Sequence, residues 1–114
     1  MRIKETTHLK KELEIELRNA FLDAYKTAAK LYNFSSPIFI RMLDEHGAYE
    51  TAKRLTSNPN WQKGYEKLAS YGRTDLTVEH IIQQDKYASY FSDQELFNAK
   101  EKIQAAQWMK GRKY

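Results

Sequence analysis

The chain contains three histidines, His8, His46 and His80, and no cysteine. No histidine lies three or four residues from another, and none belongs to a His-Glu-x-x-His pattern. A metal site would therefore need all three to converge with a carboxylate from separate segments. Surface or cap-adjacent histidines are the simpler expectation. His46, directly before Gly47, is placed to interact with a helix dipole when protonated. Without cysteine, a disulfide framework, a thiolate zinc site and a cysteine nucleophile are excluded. Glu12, Glu14, Glu16 and the pair Asp44-Glu45 concentrate carboxylates. Acid–base work needs two such groups in different environments within one cleft. Alternating glutamates along a helix scatter around its surface, so a solvated face is expected. None of the four glycines sits in a phosphate loop, nucleophile elbow or dinucleotide fingerprint. No catalytic residue, metal ligand or cofactor is expected.

Two patterns could bind without reacting. Arg73 could present its guanidinium fork to a carboxylate or a phosphate. The competing structural reading pairs Arg73 with Asp75 or Glu79 and uses Asp75 to bond turn N–H groups, as such turns require. Eight tyrosines and two tryptophans interleave with Lys53, Arg54, Lys63 and Lys67. Together with the basic tail Lys110, Arg112 and Lys113, these residues are candidate contacts to single-stranded nucleic acid, through stacking and phosphate neutralisation. Ordinary core and rim aromatics are the simpler reading. The charge distribution favours it. Net charge is +4 and the pI is near 9.2. Residues 1–57 hold ten Lys/Arg against eight Asp/Glu, and residues 58–114 hold nine against seven. Residues 110–114 alone carry +3. The basic character is thus mostly a tail on a mixed-charge body, which reads as a solvated surface.

The elements that must position these residues follow from periodicity and punctuation. A chain of 114 residues is one domain with a single modest core. Aromatics at 13% argue against disorder, and a mean hydropathy of −0.81 marks a very polar chain. No strand-like alternation of useful length occurs; helical spacing recurs instead. The first helix is expected from about Thr7 to Tyr32. Leu9, Leu13, Leu17, Ala20, Ala24, Ala28 and Leu31 form one stripe. Ile15, Leu22, Tyr25 and Ala29 lie on a second side. A helix apolar on two sides is either central or shared, so Ile15, Leu22 and Tyr25 are the candidate partner interface.

Ser36-Pro37 should open a second helix with a serine cap and proline at its first position. Ile38, Phe39, Met42 and Leu43 should face inward, and Gly47 should end the helix. A short third helix is expected from Ala48 to Thr56, followed by the turn Ser57-Asn-Pro-Asn60. A fourth should run from Trp61 to Tyr71 and stop at Gly72. Thr77 should cap a fifth that frays around Asp85 to Ala88. Ser92-Asp-Gln-Glu95 is a capping box for a last helix to Lys110. That helix carries Leu96, Ala99, Ile103 and Ala106, flanked by Phe97 and Trp108.

Several of these turns have distinctive spelling: Glu45-His-Gly-Ala-Tyr-Glu-Thr-Ala-Lys-Arg-Leu55, Gly64-Tyr65-Glu-Lys-Leu68, Gly72-Arg-Thr-Asp-Leu-Thr-Val-Glu79 and Phe91-Ser-Asp-Gln-Glu-Leu-Phe-Asn-Ala99. Their order, over about residues 20–105, resembles a family of short bacterial and phage-borne helical domains of unassigned function. These occur alone or appended to larger proteins, some nuclease- or restriction-related. Thr74 departs from the leucine usual after Gly-Arg in that family. The resemblance implies a helical fold and supplies no catalytic residues.

The expected fold is all-α, a compact array of about six helices with a long first one. The leading function is a non-enzymatic interaction module that contacts protein, as a homo-oligomer or with a different partner, through an apolar helix face. The alternative is a nucleic-acid-binding accessory domain in bacterial or phage DNA processing or defence. Met1-Arg-Ile-Lys-Glu-Thr-Thr-His8 lacks the apolar core of a signal peptide. No run approaches the roughly 18 apolar residues of a membrane span. A cytoplasmic location is therefore expected.

Overall fold

The computed structural model of the protein describes residues 10–111. Its elements are all helical: α1 (Lys11–Tyr32), α2 (Pro37–Ser57), α3 (Lys63–Ser70), a 3₁₀ turn (Thr74–Leu76), α4 (Val78–Ile81), α5 (Asp85–Ala88) and α6 (Asp93–Gly111). The expected start of α1 near Thr7 lies outside the described residues. Leu17, Phe21 and Ala28 bury the inner side of α1. Leu17 and Ala28 belong to the expected stripe. Phe21 belongs to neither of the two sides expected from spacing. Asn33 ends the helix in the left-handed region at φ 59°, a conformation its short polar side chain tolerates.

In α2, Ser36 Oγ accepts from Phe39 N at 3.4 Å, with Pro37 at the first position. Gly47 breaks the helix at φ 83°, ψ 172°. The two expected helices are thus present as two halves joined end to end. The second half begins without a cap of its own. Glu14 supplies one from α1: its carboxylate accepts from Ala48 N at 2.6 Å and Tyr49 N at 3.1 Å. Glu14 is therefore not the solvated side chain expected of it. Ile38 also departs from expectation. It is 68% exposed, while Leu43 is buried.

α3 begins two residues later than expected, leaving Trp61 before it, edge-on to the Tyr65 ring at 4.9 Å. Gly72 has φ 75°. Gly72 N donates to Ala69 O and Arg73 N to Leu68 O, closing the helix end. Thr77 caps α4 by accepting from His80 N at 3.2 Å. The single fraying fifth helix is corrected to two separate one-turn helices, α4 and α5. The capping box is formed: Ser92 N donates to Glu95 Oε1 at 2.9 Å, and Glu95 N to Ser92 Oγ at 3.0 Å.

The main core gathers Leu17 and Phe21 from α1, Leu43 and Ala52 from α2, Tyr87 from α5 and Ala99 from α6, with Ile82 just after α4 and Phe91 just before α6. A smaller cluster, Ala28, Phe34 and Leu68, joins α1 to α3. Among the described residues no helix is long and apolar enough to cross a membrane.

Candidate functional site

The α1–α2 corner, the start of α3 and the chain entering α4 do not close completely. They leave a half-enclosed cavity of about 470 Å³, within the roughly 300–1,000 Å³ of small-ligand sites. Its walls are aromatic: Phe21, Tyr25, Phe34, Phe39, Trp61 and Tyr65. The rings pack against each other. Tyr25 and Phe39 lie nearly parallel at 6.2 Å, and Phe34 meets Tyr25 edge-on at 5.6 Å.

Most polar groups on the wall are already committed. Tyr25 Oη accepts from Ser36 N at 2.8 Å. Thr77 Oγ1 donates to Thr74 O at 2.6 Å while capping α4. Gln62 and Glu79 both serve Lys102. The Lys102 ammonium, 1% exposed, reaches Glu79 Oε2 at 3.0 Å, Leu55 O at 3.2 Å and Gln62 Oε1 at 3.4 Å. It also lies 5.8 Å from the centre of the Tyr65 ring. A buried lysine needs such a set of acceptors, because an unpaired charge in the interior is very costly. The Tyr65 hydroxyl is the exception. The residue is 5% exposed and its oxygen has no hydrogen-bond partner. Burial, with the Glu79 carboxylate nearby, raises its pKa well above the ordinary phenol range, so it remains a protonated donor.

The residues singled out from sequence are dispersed. Arg73 grips Asp75 with two bonds of 2.9 Å and donates to Tyr32 Oη at 3.2 Å. Tyr32 is itself stacked on Tyr71 at 4.5 Å. Those hydrogen bonds from Arg73 hold the Asp75 carboxyl below the usual carboxylate range. Lys53 pairs with Glu95 and Arg54 with Glu50, both at 3.1 Å. Lys63 and Lys67 are exposed on α3. The side chain of Lys110 and all of Arg112 and Lys113 lie outside the described residues.

Ile15 is exposed, but Leu22 and Tyr25 are half-buried against the two core clusters. The expected α1 strip is therefore not an open face. His46 and His80 are exposed, and His8 lies outside the described residues. Among the described residues no group of acidic and histidine side chains could hold a metal ion.

The last helix buries Ala99 and Ala106 of its expected stripe, with Leu96 and Ile103 half-buried, but it buries polar residues beside them. Its buried face carries Glu95, Asn98, Ala99, Lys102 and Ala106. Asn98 Nδ2 donates to Thr56 O at 2.8 Å, tying that face to the end of α2. Its outward side carries Phe97 at 56% exposure and Trp108 at 64%, and Met109, 55% exposed, lies in its last turn. Phe97 and Trp108 are about three helical turns apart, on one line of the helix surface. Neither the cavity nor the burial of Asn98 and Lys102 on α6 was foreseen from sequence. The signal available for that burial was polar Asn98 and Lys102 in register with Glu95 and Ala99 at three- and four-residue steps. Comparison with protein-family models, curated proteins and solved structures gives no match to this chain.

Proposed function

We propose that this chain is a non-enzymatic protein-interaction module of the bacterial or phage cytoplasm, and that the outward face of α6 is its contact surface. The exposure of Phe97 and Trp108 along one line of that helix carries the reading. A helix that buries Lys102, Asn98 and Glu95 while leaving Phe97 and Trp108 more than half exposed gains from a second surface laid over its outer side. Large exposed apolar side chains are the usual mark of an interface, and aromatic anchors carry most of the energy in one. The turn spelling described above supports the bacterial or phage setting. Nucleic-acid binding draws less support, because Lys53, Arg54 and Arg73 are each engaged by a carboxylate.

Sedimentation and site-specific photo-crosslinking test this together. A crosslinker at position 97 should capture a second copy or a distinct protein, and the same group at Lys67 should not. Phe97→Ser combined with Trp108→Ser should abolish the association without lowering the melting temperature. A chain that stays monomeric at high concentration and captures nothing through position 97 or 108 sinks the reading.

A further inference from the structure

We infer that Lys102, Gln62 and Glu79 form a self-modification site: the folded chain closes an isopeptide bond between Lys102 Nζ and Gln62 Cδ, with Glu79 as the base and ammonia as the product released. The site is independent of the α6 contact face and uses none of its exposed residues. Three features of the fold bring the reactants together. The first is proximity. Lys102 Nζ lies 3.4 Å from Gln62 Oε1, with the carbonyl carbon one bond further along the same side chain. Groups held that close react as if at very high effective concentration. Leu55 O is also near, at 3.2 Å, but it is a main-chain carbonyl at the end of α2. Of the three acceptors around Nζ, only Gln62 offers a side-chain carbonyl that carries a leaving group. The second feature is the base. Glu79 Oε2 is 3.0 Å from the same nitrogen. The third is dryness. Lys102, Glu79 and Tyr65, whose ring centre is 5.8 Å from Nζ, are all buried. An amine in such surroundings, relieved of its extra proton by a neighbouring base, is a competent nucleophile.

The step balances within the chain. Glu79 takes one proton from the Lys102 ammonium, and the freed lone pair attacks Gln62 Cδ while the carbonyl electron pair moves to Oε1. The tetrahedral intermediate collapses, and the Cδ–Nε2 bond breaks. A second proton from Nζ passes through the Glu79 carboxyl to Nε2, which leaves as ammonia. One C–N bond forms and one breaks. Of the two protons lysine gives up, one departs with ammonia and one stays on Glu79. The product is a neutral amide beside a neutral carboxyl, where the open chain holds a buried ion pair. Buried ions carry a large desolvation cost, so this exchange favours closure. Gln62 is half-buried on the wall of the cleft, which gives ammonia its way out. Before reaction the ammonium is well satisfied by its three acceptors. Closure is therefore slow beside folding, and the ion pair is the state of the freshly folded chain.

Intact-mass spectrometry of the whole purified chain, held folded at pH 8 and 37 °C for three weeks, tests the inference. The mass should fall by one ammonia, at a rate independent of protein concentration. Trypsin should then yield one branched peptide that joins residues 55–63 to residues 101–110 and is uncut after Lys102. The same chain held in urea should not close. Glu79→Gln keeps an acceptor for Lys102 but removes the base, and should slow closure about a hundredfold or more. Gln62→Met removes the acyl group from a half-buried position and should abolish closure in a chain that still folds. A folded parent chain whose mass is unchanged after that time would overturn the inference. So would loss of water, which would join Lys102 to Glu79 instead, or loss of ammonia that maps to an asparagine. Closure at the parent rate in Glu79→Gln would do the same.

Discussion

Lys102 and Arg73 solve the same problem, an ordered cation, at opposite depths. Lys102 is buried with Glu79, Leu55 O and Gln62 as its acceptors. Removing one member of such a pair strands the other in the interior. Lys102→Met should therefore destabilise by about 3–5 kcal/mol, whereas Lys102→Met with Glu79→Leu should recover most of that loss. Urea unfolding of the three proteins measures it; a double variant no more stable than Lys102→Met would show that the ammonium's bonds to Leu55 O and Gln62 matter more than the ion pair. Arg73 works at the surface, so its loss should lower the melting temperature only slightly. Its effect is clearer in acid. The Asp75 carboxyl has its pKa depressed by Arg73. The stability it contributes is present above the ordinary aspartate value of about 3.9 and is lost as pH falls through the lower folded value. Arg73→Ala should flatten the stability–pH curve below about pH 4. The Arg73–Asp75 pair was readable because its partners are two residues apart. Glu79 was the other candidate partner, six residues from Arg73, yet Lys102, 23 residues away, takes it, and nothing local signals that choice.

Caps were the most legible feature at the level of elements. Ser36, Thr77 and the Ser92–Glu95 box act through bonds within three residues of each other, and that range is what a local reading reaches. The cap on the second half of α2 was not legible, because Glu14 arrives from 34 residues away. Gly47 and Glu14 form one joint. Gly47 has φ 83°, and a Cβ there would stand 2.9 Å from Glu14 Oε2. Gly47→Ala should thus cost at least about 1 kcal/mol through backbone strain, and more through displacement of the cap. Glu14→Ala should cost about 1–2 kcal/mol by orphaning two N–H donors. The costs should be less than additive in a double-variant cycle, since each change damages the same joint. Strict additivity in thermal unfolding would separate glycine geometry from the carboxylate. α6 shows another limit of local reading. Its expected stripe does face inward through Ala99 and Ala106, but the ends of α2 and α4 also present carbonyl and carboxylate acceptors there. They select Asn98 and Lys102 for the buried face and turn Phe97 and Trp108 outward.

For the whole molecule, the all-α class and the long first helix followed from period and punctuation, while the packing that creates a cavity did not, because it depends on how α1, α2 and α3 meet. The same packing sets the response of the protein to alkali. Tyr49, Tyr65 and Tyr87 are buried in different parts of the fold, and burial raises the pKa of each above the ordinary phenol value. The unfolded chain releases these phenolic protons from about pH 10, while the folded chain keeps them. The native state then binds more protons than the unfolded state, so stability must fall as pH rises. The contribution is complete below about pH 10 and is lost as pH climbs through the folded values, with a slope of up to about 1.4 kcal/mol per pH unit for each retained proton. The tyrosine part must be isolated by difference from every other pH effect. Tyr65→Phe does this. At pH 8 it should be neutral or slightly stabilising, since it deletes a buried hydroxyl without a partner. From pH 10 to 11.5 its urea midpoint should fall less steeply than that of the parent chain. Tyr49→Phe is the contrast: its hydroxyl donates to Tyr90 O at 2.6 Å, so it should lose about 1 kcal/mol at pH 8 and gain the same alkaline resistance. Parallel curves for the parent and Tyr65→Phe across that range would mean that the Tyr65 phenol titrates in the folded chain as it does in water, and that its place in the wall is open to solvent.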